Sequence, residues 1–350
     1  MSTAPTTGFP AAMALLRQAV DKGDIPGAVL AAGWGPGLEG LAGYGWAELG
    51  ANPRPISAGT VFDLASLTKV VATLPVVLHL LASGRLALDA KVVDLLPGFG
   101  GGSPERSQVT VGHLLTHTAG LPAERRYWRL GLAPEETRRR FLAEPLVGSP
   151  GRRVVYSDIG FMVLGWLAEE VTGDDLGALV ARWVTGPLQM GRTSFLPSQS
   201  QEFAATERRP DGRPRVGLVH DENAEALRAP SGHAGLFSVA EDLALYLAAW
   251  TSPEGAWLPR ALREEATADR TSGLDGHRGL GWVARHDHFD RLGERWPGTS
   301  VFHSGFTGTS LAMDMSSGRW VVMLTNEVHL GRDRGILNPL REAVHTALAP

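Results

Sequence analysis

The sequence predicts an α+β protein in which one antiparallel sheet is assembled from both ends of the chain and helices fill the middle. Two observations predict it. Strand-like runs fall only near the ends, at residues 28–32 and 41–49 and again at 280–284, 300–303, 310–313 and 320–325. Between them, apolar residues recur at helical spacing. At 350 residues, 43% hydrophobic and 20% charged, the chain is also long enough to bury a large core. The expected division is a discontinuous sheet domain of residues 1–85 and 275–350, a mostly helical domain of residues 86–274, and a site between them.

Taken in order, residues 10–22 place Met13, Leu16 and Val20 on one helix face, and Gly23 is a suitable stop. The strands at 28–32 and 41–49 are separated by a loop holding Gly35, Gly37 and Gly40, a literal G-x-G-x-x-G. A dinucleotide fingerprint must open a helix, and a second strand follows here, so the glycines are read as a hairpin loop. Residues 60–69 read as an extended approach and a turn, leading into a buried helix over 70–82 whose first turn carries Ser66 and Lys69. The 70–82 run contains Pro75 and His79 and is too short to cross a bilayer. A glycine segment at 98–102 follows. Helices are expected at 134–144, 159–171, 176–184, 239–250 and 259–266, with a long loop at 187–236 of the kind that covers a site. In the final third, Val321 to Thr325 is apolar enough for a central strand, and 336–348 closes the chain as a helix.

Composition excludes several function classes. A net charge of −4 with no one-sided basic patch gives no footing for nucleic acid, and Arg138, Arg139 and Arg140 read as a solvated helix face. Without cysteine there are no disulfides and no thiol catalysis. Residues 1–8 lack a basic segment followed by an apolar one, so no leader, a cytoplasmic location and no membrane partner are expected. His113 and His117 are four apart but lack a third ligand, so no metal and no cofactor are expected. The oligomeric state is left open.

The candidate chemistry centres on Ser66 and Lys69. A spacing of three puts both on one helix face, and free N–H groups in a first helical turn favour an oxyanion near the serine. Of the 33 basic residues only Lys22, Lys69 and Lys91 are lysines. Arginine cannot give up its proton and a desolvated lysine can, so a lysine in an apolar helix start suggests a titrating role. Tyr156 and Asp158 precede a helix that Asp158 could cap, and tyrosine is scarce, at four in the chain. A phenol held between cations could act as a base or relay a proton. His303, Ser304 and Gly305 lie at a strand end, where a glycine lets substrate approach the backbone.

In this order, S-x-x-K at 66–69, Y-x-D at 156–158 and H-S-G at 303–305 resemble the serine β-lactamase and penicillin-binding protein superfamily, in its class C-like esterase and amidase branch. Further segments are similar: Leu114-Leu-Thr-His-Thr-Ala-Gly-Leu-Pro122, His220-Asp-Glu-Asn223 and Gly232-His-Ala-Gly-Leu-Phe-Ser238. The resemblance implies the β-lactamase/transpeptidase-like fold and a nucleophilic Ser66, with Lys69 as general base and Tyr156 passing the proton to the leaving group. It also implies an oxyanion hole of the Ser66 and Phe306 N–H groups. Asp158, His303, Ser304 and Gly305 are expected to contact substrate, and His220 and Asp221 either to do so or to order their loop. Class C lactamases have asparagine at the position of Asp158 and lysine and threonine at those of His303 and Ser304, whereas a histidine at position 303 is similar to what many related esterases show. An ionised carboxylate cannot donate the asparagine's hydrogen bond, and histidine is a weaker anchor for a carboxylate. The expected activity is therefore hydrolysis of carboxylic esters or peptide-like amides through an acyl-enzyme, cell-wall fragments among the candidates, with weak β-lactamase activity at most. The alternative is a penicillin-binding protein that is acylated without efficient turnover. G-x-S-x-G, the mark of the rival α/β-hydrolases, does not occur.

Overall fold

The computed structural model describes residues 8–100, 103–209, 211–252, 257–332 and 334–350. Residues 1–7, read above for a leader, lie outside these, as do Gly101 and Gly102 of the glycine segment and Pro210 of the long loop.

The strands are β1 (Gly27–Trp34), β2 (Gly37–Glu48), β3 (Arg54–Pro55), β4 (Phe62–Asp63), β5 (Phe237–Ser238), β6 (Val283–Ala284), β7 (Ser300–Ser304), β8 (Ser310–Asp314) and β9 (Arg319–Thr325). Seven of them form an antiparallel sheet in the order β3-β2-β1-β9-β8-β7-β6, and β4 pairs with β5 in a small ribbon. The two chain ends meet where β1 lies beside β9, with Ala28 opposite Thr325 and Trp34 opposite Arg319. β9 holds the centre of the sheet, as its apolar run predicts. The expected strand at 280–284 shortens to β6, because Gly281 takes φ 77° and turns the chain.

Alternation along the strands builds two layers. Ala28, Leu30, Ala32, Val321 and Met323 face the terminal helices Phe9–Asp21 and Leu337–Ala347, which pack on each other. Val29, Ala31, Val322 and Leu324 point the other way, into the core shared with the central helices. Each of these fully buried side chains of valine size or larger contributes about 1.5–3 kcal/mol. The helix Ala240–Thr251, which a boundary at 274 groups with the helical middle, packs across β1 and β9.

The hairpin reading of the glycine loop holds, in a tighter form. Strand pairing continues to Trp34 opposite Gly37, so Gly35 and Pro36 alone make the turn, with Gly35 at φ 49°. The long 187–236 loop is tied down by bridges from Phe203 to Val61 and from Ser194 to Phe237, and carries a short helix, Glu222–Leu227.

The segment bearing Ser66 differs from the plain helix expected. Ala65 sits in the left-handed region at φ 46°, then Ala65–Leu67 forms a 3-10 turn and Lys69–Thr73 a π turn before the α-helix Leu74–Ala82. Pro75 explains part of this: it has no N–H to give to the Val71 carbonyl, while the neighbouring Val70 carbonyl accepts from the Tyr246 hydroxyl. The helical stretch Ala65–Ala82 is thus 18 residues, longer than the run read from sequence and apolar enough to cross a membrane, but 78% of it is buried inside the protein as the core helix.

Gly33 of β1 has no room for a side chain: a Cβ there would lie 2.1 Å from the Gly37 carbonyl oxygen and 2.3 Å from the Trp320 ring. Gly33→Ala is expected to lower stability by about 1–3 kcal/mol, read as a fall in the urea midpoint at unchanged slope. An unshifted midpoint would mean that β1 and β9 can separate there without penalty.

Candidate active site

Ser66 is positioned by strain and by tethering. Residues 64–67 leave β4 through the left-handed Ala65, whose N–H donates to Asp63 Oδ1 at 2.8 Å, closing a tight turn that lifts Ser66 out of the core. A non-glycine residue in this region is strained by about 1–3 kcal/mol and persists only where the surroundings fix it. Asp63 is the fixing point: its other oxygen accepts the His220 N–H at 2.7 Å. Burial pushes the Asp63 carboxyl up, against the pull of those two N–H groups.

Lys69 lies beneath Ser66 and is completely buried. Its ammonium donates to Ser66 Oγ at 3.0 Å and the His233 carbonyl at 3.2 Å and forms an ion pair with Asp158 Oδ1 at 2.7 Å. Burial alone would lower its pKa, as the sequence reading supposed. The Asp158 carboxylate and the Tyr156 oxygen outweigh burial and hold it well above the ordinary value, so the resting group is an ammonium.

Asp158, expected above to contact substrate, faces Lys69. It is the first residue of the helix Asp158–Thr172, with its side chain turned back to Lys69, and Ser157 rather than Asp158 caps that helix, accepting from the Gly160 N–H at 3.2 Å. Tyr156 presents its ring between two cations, 4.9 Å from Lys69 Nζ and 5.8 Å from the Arg278 guanidinium carbon.

A cavity of about 520 Å³ opens over these groups and is lined by Ser66, Tyr156, His303, Ser304, Gly305 and Phe306. No acceptor takes the Phe306 N–H among the described residues. His303 is buried, and its Nδ1–H donates to the Ser304 carbonyl at 3.0 Å, which leaves Nε2 as a lone pair. Burial, with Lys69 and Arg278 nearby, holds its pKa well below the usual histidine value. A neutral imidazole is no cationic anchor for a carboxylate.

His220 and Asp221 do not line the cavity. His220 is buried, its ring stacks under Phe306 at 5.6 Å and its Nε2 meets Glu207 at 3.2 Å. Asp221 caps Glu222–Leu227 through the Ala224 N–H at 2.8 Å and pairs with His233 Nε2 at 2.9 Å. Burial would raise the Asp221 pKa, but His233 and that N–H bring it below the usual carboxylate range. The two order the loop and steady the strand of chain whose His233 carbonyl receives Lys69.

His113 and His117 do not share a helix face. The helix is only Val111–Leu115, His113 accepts the Thr110 N–H at its start, and His117 lies beyond its end at φ 58°. His117 instead brackets Tyr156: its carbonyl accepts the Val155 N–H at 2.8 Å and its Nδ1 the Ser157 N–H at 3.0 Å. Among the described residues no cluster of His, Asp and Glu could hold a metal ion. The sequence reading missed Arg278, His233 and Arg341. The arginines had no local signal to single them out, whereas His233 stood in the quoted Gly232–Ser238 segment.

The family model described as Beta-lactamase matches residues 13–346. The chain is 31% identical over 348 residues to "N-acetylmuramyl-L-alanine amidase" of Bacillus subtilis (strain 168), covering 87% of this chain and 78% of that protein. It is 32% identical over 337 residues to "Esterase EstB" of Burkholderia gladioli, covering 83% and 84%. Among solved structures it is similar to "EstCE1, a hydrolase with promiscuous acyltransferase activity", with a TM-score of 0.76, 26% identity and coverage of 95% and 97%.

The Lys69–Asp158 pair has a checkable sign. Because the folded pKa is raised, the pair's stabilisation is complete below the ordinary lysine value of 10.5 and is lost only as the pH rises past the raised one. Asp158→Asn is expected to bring the Lys69 titration midpoint down by about 1–3 pH units. With three lysines in the chain, NMR of a lysine-labelled sample resolves it. An unchanged midpoint would show that the carboxylate is not what holds the proton.

Proposed function

The chain belongs to the Beta-lactamase family and is a serine hydrolase, and from that premise we propose that it cleaves carboxylic esters or peptide-like amides through an acyl-enzyme at Ser66. The observation that carries this is the triple contact of the Lys69 ammonium with Ser66 Oγ, Asp158 and the His233 carbonyl, at the floor of a cavity that Tyr156 also lines.

Lys69 enters this reaction as a cation. Its proton is held by Asp158, so the Ser66 proton is relayed through Tyr156, whose hydroxyl hands its own proton on to the leaving group as its oxygen takes the serine's, with Lys69 and Arg278 placing positive charge beside it. Ser66 Oγ then attacks the substrate carbonyl carbon, and the resulting oxyanion is met by the Ser66 and Phe306 N–H groups. Tyr156 passes the proton to the leaving oxygen or nitrogen as that bond breaks. Water attacks the acyl-enzyme by the same route in reverse: Tyr156 takes its proton, and Ser66 regains one as the acid departs. This assignment moves the base from Lys69 to Tyr156, and the ion pair is the reason.

The neutral His303 supports weak β-lactam handling at most, since the carboxylate of a β-lactam would find a lone pair where a cation is wanted. The His220 and Asp221 segment no longer argues for cell-wall fragments, because those side chains bind each other's neighbours rather than the cavity. Such fragments remain one substrate class to assay.

The test combines intact mass after a fluorophosphonate probe with turnover of p-nitrophenyl esters, nitrocefin and defined muropeptides. Ser66→Ala is expected to lose labelling and turnover together, and Tyr156→Phe to lose about 100- to 10,000-fold in kcat while keeping its fold. Labelling that survives in Ser66→Ala sinks the assignment. A single stable adduct with no product release would instead favour a penicillin-binding protein that is acylated without turnover.

A further inference from the structure

We infer that Arg341 is a positioning residue that orients the Phe306 N–H of the oxyanion hole, with Thr307 and Thr309 holding the same turn against the Ser66 segment. The inference rests on the reading of Phe306 as an oxyanion donor.

The peptide bond supplies the argument. The Gly305 carbonyl and the Phe306 N–H belong to one planar unit and point in opposite directions, so whatever fixes the carbonyl aims the N–H. Arg341, on the helix Leu337–Ala347, donates from Nη2 to the Gly305 carbonyl at 3.1 Å and to the Thr309 carbonyl at 2.9 Å, while Nη1 meets Asn338 Oδ1 at 3.1 Å. The Gly308 N–H also reaches the Gly305 carbonyl, at 3.1 Å, and the Gly305 N–H closes the turn on Thr309 at 2.8 Å. A cation donating to the carbonyl end of a peptide also polarises it, which strengthens the N–H at the other end as a donor. Keeping a guanidinium 6% exposed is unfavourable unless its contacts compensate, and besides Asn338 and the nearby Glu327 charge these are two backbone carbonyls of the turn that faces Ser66.

The two threonines register that turn on the nucleophile's own segment. Thr307 Oγ1 donates to the Asp63 carbonyl at 2.7 Å and Thr309 Oγ1 to the Leu64 carbonyl at 3.2 Å. Gly305 is seated so closely that a Cβ would lie 2.3 Å from the Leu64 oxygen. The Phe306 and Ser66 N–H groups thus come from two stretches of chain stapled by two hydroxyls, and Arg341, at the wall of the same cavity, holds the stapled turn by its Gly305 and Thr309 carbonyls.

The experiment compares Arg341→Met and Arg341→Lys with the unaltered chain for kcat and KM on a p-nitrophenyl ester. It also measures inhibition by an alkylboronic acid, whose serine adduct mimics the tetrahedral oxyanion, and thermal stability. Arg341→Met is expected to lose about 10- to 100-fold in kcat, somewhat less than deleting a donor outright, with KM within about threefold. Boronate affinity should fall in step with kcat, the melting temperature should stay within a few degrees, and Arg341→Lys should recover part of the loss. Full kcat in Arg341→Met, or a loss that leaves boronate affinity unchanged, overturns the inference. If Arg341→Met does not fold, Thr307→Val takes the same readouts, and full kcat there overturns it equally. Turnover that persists in Ser66→Ala defeats the underlying reading, and the inference with it. Ser66-dependent turnover with an indifferent Arg341→Met defeats the inference alone.

Discussion

A fully buried ammonium is the constraint on which the rest of this structure depends. Stripping one partner from a buried ion pair is destabilising by about 3–5 kcal/mol, because the other charge is left in a medium that cannot solvate it. Lys69 avoids this through contacts from three different parts of the chain: Ser66 on its own helical stretch, the Asp158 carboxylate at the start of a central helix, and the His233 carbonyl near the end of the long loop. Satisfying one cation therefore brings together segments that are up to 164 residues apart in sequence. The site is a by-product of that requirement as much as of the sheet.

Asp63 plays the matching part on the other side of the serine. One carboxylate oxygen holds the strained Ala65 turn, the other holds His220, and the backbone carbonyl receives Thr307. Three otherwise independent pieces, the turn bearing Ser66, the long loop and the turn between β7 and β8, share one anchor. Strain at Ala65 is tolerable only because that anchor is over-determined. The same logic explains why the loop at 187–236 reads as irregular and yet is fixed where it matters.

The fold was legible because its signals are periodic. The run Val321 to Thr325 announced a central strand, and β9 is that strand; the glycines at 35, 37 and 40 announced a hairpin, and a two-residue turn follows Trp34. The break of the Ser66 helix into three helical forms was not legible, since it depends on a tertiary bond from Tyr246 that no local pattern records. In the site, spacing brought Ser66 and Lys69 together correctly, and residue type singled out Tyr156 and His303 as cavity-lining groups. Spacing could not say what Asp158 or Asp221 would face. Each is an acidic residue at a helix start, where capping, ion pairing and substrate contact look alike, and only the packed structure separates them. Arg278 and Arg341 were hidden for a different reason, since in a chain that uses arginine almost everywhere a buried one carries no mark.

The proposed route of the proton follows from the same electrostatics. A buried lysine next to nothing would titrate low and could accept a proton; a buried lysine 2.7 Å from a carboxylate cannot, because removing its proton would strand the carboxylate beside a neutral amine. Asparagine at position 158, which the resemblance would have supplied, leaves the amine free to titrate. Aspartate there holds the cation, which is the ground for proposing that proton transfer runs through the phenol. The neutral His303 fits the same electrostatics, since a further cation on that wall would have to share the space with Lys69 and Arg278.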